Sequence, residues 1–157
     1  MNKDKISIVR ADSSHLRLIW EWRNDPQTIY MSRNAQPISL DLHSKWFHNV
    51  ISEELSYIYV LIWNNVPVGM ARFDLLENNI NACEISINLG PDFRNQGLSK
   101  ILLSMSINKF KNDIKEKMVI YAEIKKENMQ SIQLFSKYGF SLMTDNGTMN
   151  KYIYQLD

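Results

Sequence analysis

"NLGPDFRNQGLSKILLSMSI", Asn88 to Ile107, carries the chain out of an apolar strand, through a Pro and a Gly, and into a long amphipathic run. The sequence has five glycines, and two of them, Gly90 and Gly97, fall here. Gly97 stands where the helical run begins, and the first N–H groups of a helix have no internal partners and carry its positive dipole end. A residue without a side chain leaves that backbone open, so the turn can seat a phosphate, with Arg94 adding charge and Lys100 one turn in. It can also be an ordinary strand-to-helix connection relieved by a glycine. Neither G-x-x-x-x-G-K-[ST] nor G-x-G-x-x-G can be built from Gly90 and Gly97, which excludes a nucleoside-triphosphate loop and a dinucleotide fingerprint.

Working outward, "ACEISINL" sets Glu84, Ser86 and Asn88 against Cys83, Ile85, Ile87 and Leu89, the alternation of a strand. Downstream, "KMVIYAEIKK" is a further strand, followed by a short helix, "NMQSIQLFSKYGF", that closes at Gly139. The run from Asn88 to Ile124 therefore predicts a parallel strand–helix–strand unit. Toward the N-terminus, "ISIVRA" is a strand, and Asp12 and Ser13 cap a helix through Leu16, Ile19, Trp20 and Arg23 that stops at Asp25-Pro26. Gln27–Pro37 reads as a loop. Ser39 then caps a second helix through Leu42, Trp46, Phe47, Val50 and Ile51. "YIYVLIW" and "VPVGMARFDLL" form a hairpin at Asn64-Asn65, and "FSLMTDN" and "MNKYIYQLD" a second one at Asn146-Gly147. The order predicts an α/β (α+β) fold: one mixed, largely antiparallel seven-stranded sheet with helices on both faces.

At 157 residues, 45% of them hydrophobic, the chain has the material for one domain spanning 1–157. A net charge of +1 without a block of like charge gives no footprint for nucleic acid. The start, "MNKDKISIVRADSS", lacks the apolar stretch of a secretory signal, and Tyr57–Trp63 is too short to span a bilayer. A cytoplasmic protein without membrane partners is expected. Cys83, the one cysteine, excludes an intrachain disulfide and a Cys-rich zinc site, and no metal is expected. Its strand position reads as a small buried residue before a nucleophile.

"RNQGLS", Arg94 to Ser99, resembles the Arg/Gln-x-x-Gly-x-Gly/Ala signature of the GNAT superfamily of N-acetyltransferases, with Ser99 in place of Gly or Ala. "EIKKENMQSIQLFSKYGF" resembles a later segment of the same family, with Asn128, Ser131 and the Gly139-Phe140 ending in register. The resemblance implies acetyl-coenzyme A as co-substrate, its pyrophosphate held by Arg94, Asn95, Gln96, Gly97, Leu98 and Ser99. It also implies a splay between the fourth and fifth strands, where the backbone of Ile87, Asn88 and Leu89 binds the pantetheine arm and polarises the thioester. Residues 81–140 would be the cofactor-binding core and 1–55 the acceptor half. Asn128 would bond the pantetheine arm, and can also cap the helix ahead of Ser131.

For the base, Glu123 comes first because its strand borders the splay, and Glu84 second; a solvated edge carboxylate is the alternative. The family often places a tyrosine four residues before the closing glycine to protonate the departing thiolate. Phe135 stands there, which removes that acid and leaves a cofactor contact; Tyr138, one turn on, is the substitute. A thiol with a pKa of about 8.5 leaves reasonably well unprotonated.

"EWRNDPQTIYMSRNAQPISLDLHSKWF" resembles members of the superfamily acting on nucleotide-linked amino sugars, notably the pseudaminic-acid branch, which acetylates the 4-amino group of a UDP-linked 4-amino-4,6-dideoxy sugar. In that setting Arg23 would pair with the diphosphate, His43 would donate to phosphate or uracil, and Trp46 would cover a ring. Trp22 and Trp46 can instead be core, and Arg23 can cap a helix end or pair with Asp25. His15 and His48 read as surface or packing residues. A protein N-terminal or small-amine acetyltransferase and a silent acetyl-CoA-binding module are the competing functions. "KYIYQL" can pair across a homodimer or run inside the sheet.

Overall fold

A computed structural model describes residues 5–157. Three β-rich runs form an antiparallel meander: β2 (Ser56–Trp63), β3 (Val66–Leu76) and β4 (Asn79–Leu89), with β1 (Ile6–Arg10) on the outer side of β2. The Asn64-Asn65 turn closes the first hairpin with φ of 50° and 66°, the left-handed pair that a two-residue hairpin of native twist requires. After α4 (Leu98–Ile114), β5 (Met118–Lys125) returns parallel to β4. The sheet order is β1-β2-β3-β4-β5-β7-β6, with β6 at Ser141–Asn146 and β7 at Met149–Leu156. The expected seven-stranded mixed sheet is what forms. "KYIYQL" lies inside it, between β5 and β6, so β1 and β6 are the edges.

Both faces are covered. On one, α4 and α5 (Met129–Tyr138) pack through Leu102, Leu103, Ile107, Phe110 and Phe135 against Tyr59, Phe73, Cys83 and Ile120. Phe73 and Phe110 stack with centroids 4.2 Å apart. Full burial of each such side chain contributes about 1.5–3 kcal/mol, so α4 is firmly anchored behind the loop that precedes it. Cys83 is wholly buried in this layer and burial pushes its thiol up to about 12, which makes it packing and not a nucleophile. On the other face, α1 (Leu16–Arg23) and α3 (Leu40–Glu53) bury Ile19, Trp22 and Phe47 against Ile58, Val60 and Met70. No helix among the described residues is long and apolar enough to cross a membrane.

The stretch read as a loop from Gln27 to Pro37 contains a helix, α2 (Pro26–Met31). Pro26 cannot continue α1, but its fixed φ and missing N–H suit the first position of a new helix, and the Asp25 side chain accepts from the Thr28 N–H at 3.2 Å as its cap. The chain therefore turns through Asn24–Asp25 and restarts.

The parallel contact between β4 and β5 is short. Only Ala82↔Val119, Cys83↔Ile120 and Glu84↔Tyr121 are paired. Beyond them β4 stays with β3 as far as Gly69↔Leu89, while β5 stays with β7 as far as Lys125↔Met149. Each strand follows a different neighbour, and the sheet opens into a V.

Candidate active site

Strand amides at the mouth of this V lack sheet partners. The Gly90 N–H donates to the Val68 carbonyl at 2.9 Å, so by strand alternation the backbone groups of Ile87 and Leu89 turn away from β3 toward the gap. The Leu89 carbonyl is met there by Arg94 Nη2 at 3.4 Å. The Asn88 side chain points to the opposite task, tying down the acceptor-side helices. Its Nδ2 donates to the Trp22 carbonyl at 3.2 Å and its Oδ1 accepts from Thr28 Oγ1 at 3.1 Å.

The two glycines of the opening stretch differ in purpose. Gly90 has an ordinary φ of −56°, but a Cβ there would lie 2.7 Å from Trp22 Nε1, so it makes room for the buried indole. Gly97 has φ +77°, and a Cβ built on it meets nothing within 4 Å. Its conformation demands glycine, and the space over it is open. Asn95 is also left-handed, with φ 62°, so the chain reaches the α4 N-terminus through two left-handed residues. Gln96 Nε2 donates to the Asp92 carbonyl at 3.1 Å, and Leu98 is core at 4% exposure, so both offer a ligand backbone and not side chain.

Arg94 is engaged within the protein. Nη2 lies 2.8 Å from Asp25 Oδ2 and 3.0 Å from Thr28 Oγ1, and Nη1 lies 3.1 Å from Gln27 Oε1. Its charge is spent on α2. Burial pushes the Asp25 carboxyl up, but the bonds from Arg94 and the Thr28 N–H outweigh it and hold the group below its ordinary range.

Glu84, the last β4 residue paired with β5, and Glu123, two residues beyond its partner Tyr121, stand on the same sheet face, with side chains 25% and 23% exposed. One guanidinium serves both: Arg33 Nη2 bonds Glu84 Oε1, and Arg33 Nε lies 3.1 Å from Glu123 Oε2. Burial raises the Glu84 carboxyl, Arg33 pulls it back, Glu123 adds to the rise, and the net shift is upward. A carboxylate lifted this way is a better proton acceptor near neutrality. α2 lies across the V, joined to β4 through Thr28–Asn88 and to the β5 end through Lys125 Nζ on the Tyr30 carbonyl and Tyr30 OH on Glu127 at 2.8 Å.

A splayed parallel pair, an open glycine turn at a helix N-terminus and carboxylates on the facing strands line one cleft, and the model of the acetyltransferase (GNAT) family matches residues 16–140. The chain belongs to the GNAT family. Among solved structures, it is similar to a domain from Methanocaldococcus jannaschii DSM 2661, with TM-score 0.81, 23% identity, and 98% of this chain and 100% of that one covered. The spermidine N-acetyltransferase of Vibrio cholerae, in complex with CoA and spermine, gives 0.81 at 14% identity over 96% and 95%. The structure of yncA from Salmonella typhimurium with its cofactor acetyl-CoA gives 0.74 at 22% identity over 96% and 92%. No curated protein sequence matches this chain significantly. Among the described residues, no group of three or more His, Cys, Asp or Glu side chains is placed to hold a metal ion.

In this GNAT chain the last helix lends less than the sequence suggested. Asn128 is the cap of α5, its Oδ1 accepting from the Ser131 N–H at 3.2 Å, which leaves its amide donors for other work. Phe135, expected against the cofactor, is 3% exposed and edge-on to Phe140 at 5.0 Å, so its ring belongs to the core. Tyr138 packs on Tyr154 at 5.4 Å, and Tyr154 is level with Ile120, where β4 and β5 are still paired. It sits level with the closed end of the V.

The expected acceptor residues divide. His43 is 2% exposed and its Nε2 is 2.9 Å from the Leu16 carbonyl, so it is a core histidine and does not reach a phosphate. Burial presses it toward the neutral form. Trp46 edges the second core and carries the Arg72 guanidinium 5.1 Å above its ring. Arg23 Nη2 donates to the Asn34 carbonyl at 3.2 Å, while Nη1 is buried without a partner. Sequence reasoning missed Arg33 and Arg72. The Arg33 partners lie on other elements, 51 residues away for Glu84, and no local pattern announces such a pairing; Arg72 pairs with Asp74, two residues on in the same strand.

Proposed function

We propose that this GNAT protein is a cytoplasmic enzyme that acetylates the amino group of a nucleotide-linked amino sugar, of the UDP-linked 4-amino-4,6-dideoxy type, with acetyl-coenzyme A as donor. The open turn at Gly97 fits a pyrophosphate, with N–H groups of the α4 N-terminus as donors. The backbone groups of Ile87 and Leu89, with the Asn128 amide, fit the pantetheine arm. The donor supplies an activated thioester; the chain supplies orientation, charge stabilisation and proton acceptors.

Acetylation of an ammonium sheds two protons from nitrogen. Glu123 or Glu84 accepts one before the amine attacks. The second leaves as the C–S bond breaks and the amide forms; one of the two ends on the thiol and the other in water.

The observation that carries the acceptor class is Arg23 Nη1, buried and unpaired beside Arg72 on the face that holds the carboxylates. A buried N–H left without an acceptor costs free energy that an anionic ligand oxygen relieves, which suits a diphosphate. A second reading, a small polyamine, is favoured by a carboxylate pair already closed around one cation. A thiol-release assay comparing UDP-linked 4-amino sugars, free amino sugars, spermidine and peptides decides. Turnover on the nucleotide sugar is expected; turnover on spermidine or peptides alone would sink the sugar reading.

A further inference from the structure

Among the described residues, Arg33 is the one cation in contact with both carboxylates of the V, and it comes from the irregular connection between α2 and α3. Its side chain is 59% exposed, whereas Glu84 and Glu123 are about three-quarters covered and stand on strands fixed by β3 and β7. The acceptors of these bonds are therefore rigid and the donor is not. Around the pair, Asp74 adds negative charge from β3, Lys125 on β5 is engaged with Tyr30, and Lys151, the β7 partner of Glu123, holds its ammonium 4.5 Å over the Tyr121 ring. The cation bonded to both carboxylates is therefore Arg33, a residue whose own anchorage is weak.

We propose that Arg33 is a specificity-determining gate: its guanidinium holds the position between Glu84 and Glu123 that the acceptor ammonium takes, and the acceptor enters by displacing it. The inference rests on the acetyl-transfer reading of the V. It explains how two carboxylates can face one cleft without an acceptor present, and it sets a threshold for entry. A neutral or anionic group cannot replace the guanidinium without leaving both carboxylates facing each other, whereas a primary ammonium, with three N–H donors, can.

The test is binding of n-propylammonium to the full chain without donor, followed by NMR titration. Arg33→Ala should bind it about three- to tenfold more tightly than wild type, the scale of releasing one or two exposed ion pairs. Arg33→Lys should stay near wild type. Adding Glu84→Gln and Glu123→Gln to Arg33→Ala should abolish the gain. Unchanged or weaker binding by a folded Arg33→Ala overturns the gate. In turnover with the UDP-linked 4-amino sugar, Arg33→Ala should lower the acceptor KM and leave the acetyl-CoA KM unchanged; a raised acceptor KM makes Arg33 a substrate ligand and also overturns it. If wild type releases no thiol with any amine, the acetyl-transfer reading fails by itself, and the ammonium titration still judges the gate.

Discussion

Removing Arg94 separates two roles that its place in the signature confounds. Arg94→Ala deletes the bonds to Asp25, Thr28 and Gln27 and the longer contact with the Leu89 carbonyl. The Arg94 and Asp25 side chains are only 20% and 15% exposed, so their pairing is worth more than a surface ion pair. Charge-assisted bonds contribute about 1.5–3 kcal/mol, and because Asp25 keeps the Thr28 N–H and hydroxyl at 3.2 and 3.4 Å, a loss of about 2 kcal/mol is expected. For a chain of this size that lowers Tm by about 4–8 °C. Urea unfolding reads the loss, and adding Asp25→Asn in a double-mutant cycle isolates the pair. The sign with pH follows from Asp25, whose folded pKa is lowered: the contribution is complete above the ordinary carboxylate value and fades as pH falls below it. In steady state both Michaelis constants should rise, because Arg94 joins the cofactor turn to the helix over the acceptor side. Stability unchanged within about 0.5 kcal/mol, with only the acetyl-CoA KM raised, would refute the clamp and restore Arg94 as a phosphate ligand.

Gly97→Ala should cost about 1 kcal/mol for its left-handed φ and weaken acetyl-CoA binding by calorimetry; unaltered binding would remove the loop from the donor site. His43, held neutral by burial, makes stability fall as pH drops below its unfolded value of about 6.5, and His43→Gln, which keeps a donor for Leu16, should flatten the urea midpoint between pH 8 and 5.5. Tyr138→Phe should leave kcat within about twofold, the scale expected of a ring without a proton to give; a fall of a hundredfold would reinstate it as the acid.

The sheet was legible because its signals are local. Asn64-Asn65, the alternation around Ile85 and the turn at Gly97 each declare their conformation within a few residues. α2 was hidden because Asp25-Pro26 ends one helix and begins another with the same two residues, and only the first reading follows the hydrophobic period. The open turn and the strand end at the mouth of the V could be inferred because they are made of backbone at a glycine and at a strand end. The acceptor half could not, because residue type does not say which way a side chain faces. His43 and Arg23 are both polar groups on amphipathic helices; one finds the Leu16 carbonyl in the core, and the other keeps a nitrogen unpaired.

That difference changes what "WRNDP" means. Trp22 is buried against Gly90 and its carbonyl accepts from Asn88. Asn24 exchanges two bonds of 2.8 Å with the backbone of Ile38, fixing where α3 begins. Asp25 holds Arg94 and caps α2, and Pro26 starts it. Four of the five residues thus build the wall and attach it to the donor turn, and Arg23 alone has an atom to offer an acceptor. A motif of this kind discriminates acceptors by geometry more than by contact: it sets where α2 crosses the V and hence where Arg33 comes down on Glu84 and Glu123. Substituting Asn24 should therefore disturb acceptor choice without touching the acceptor, whereas substituting Arg33 alters it directly.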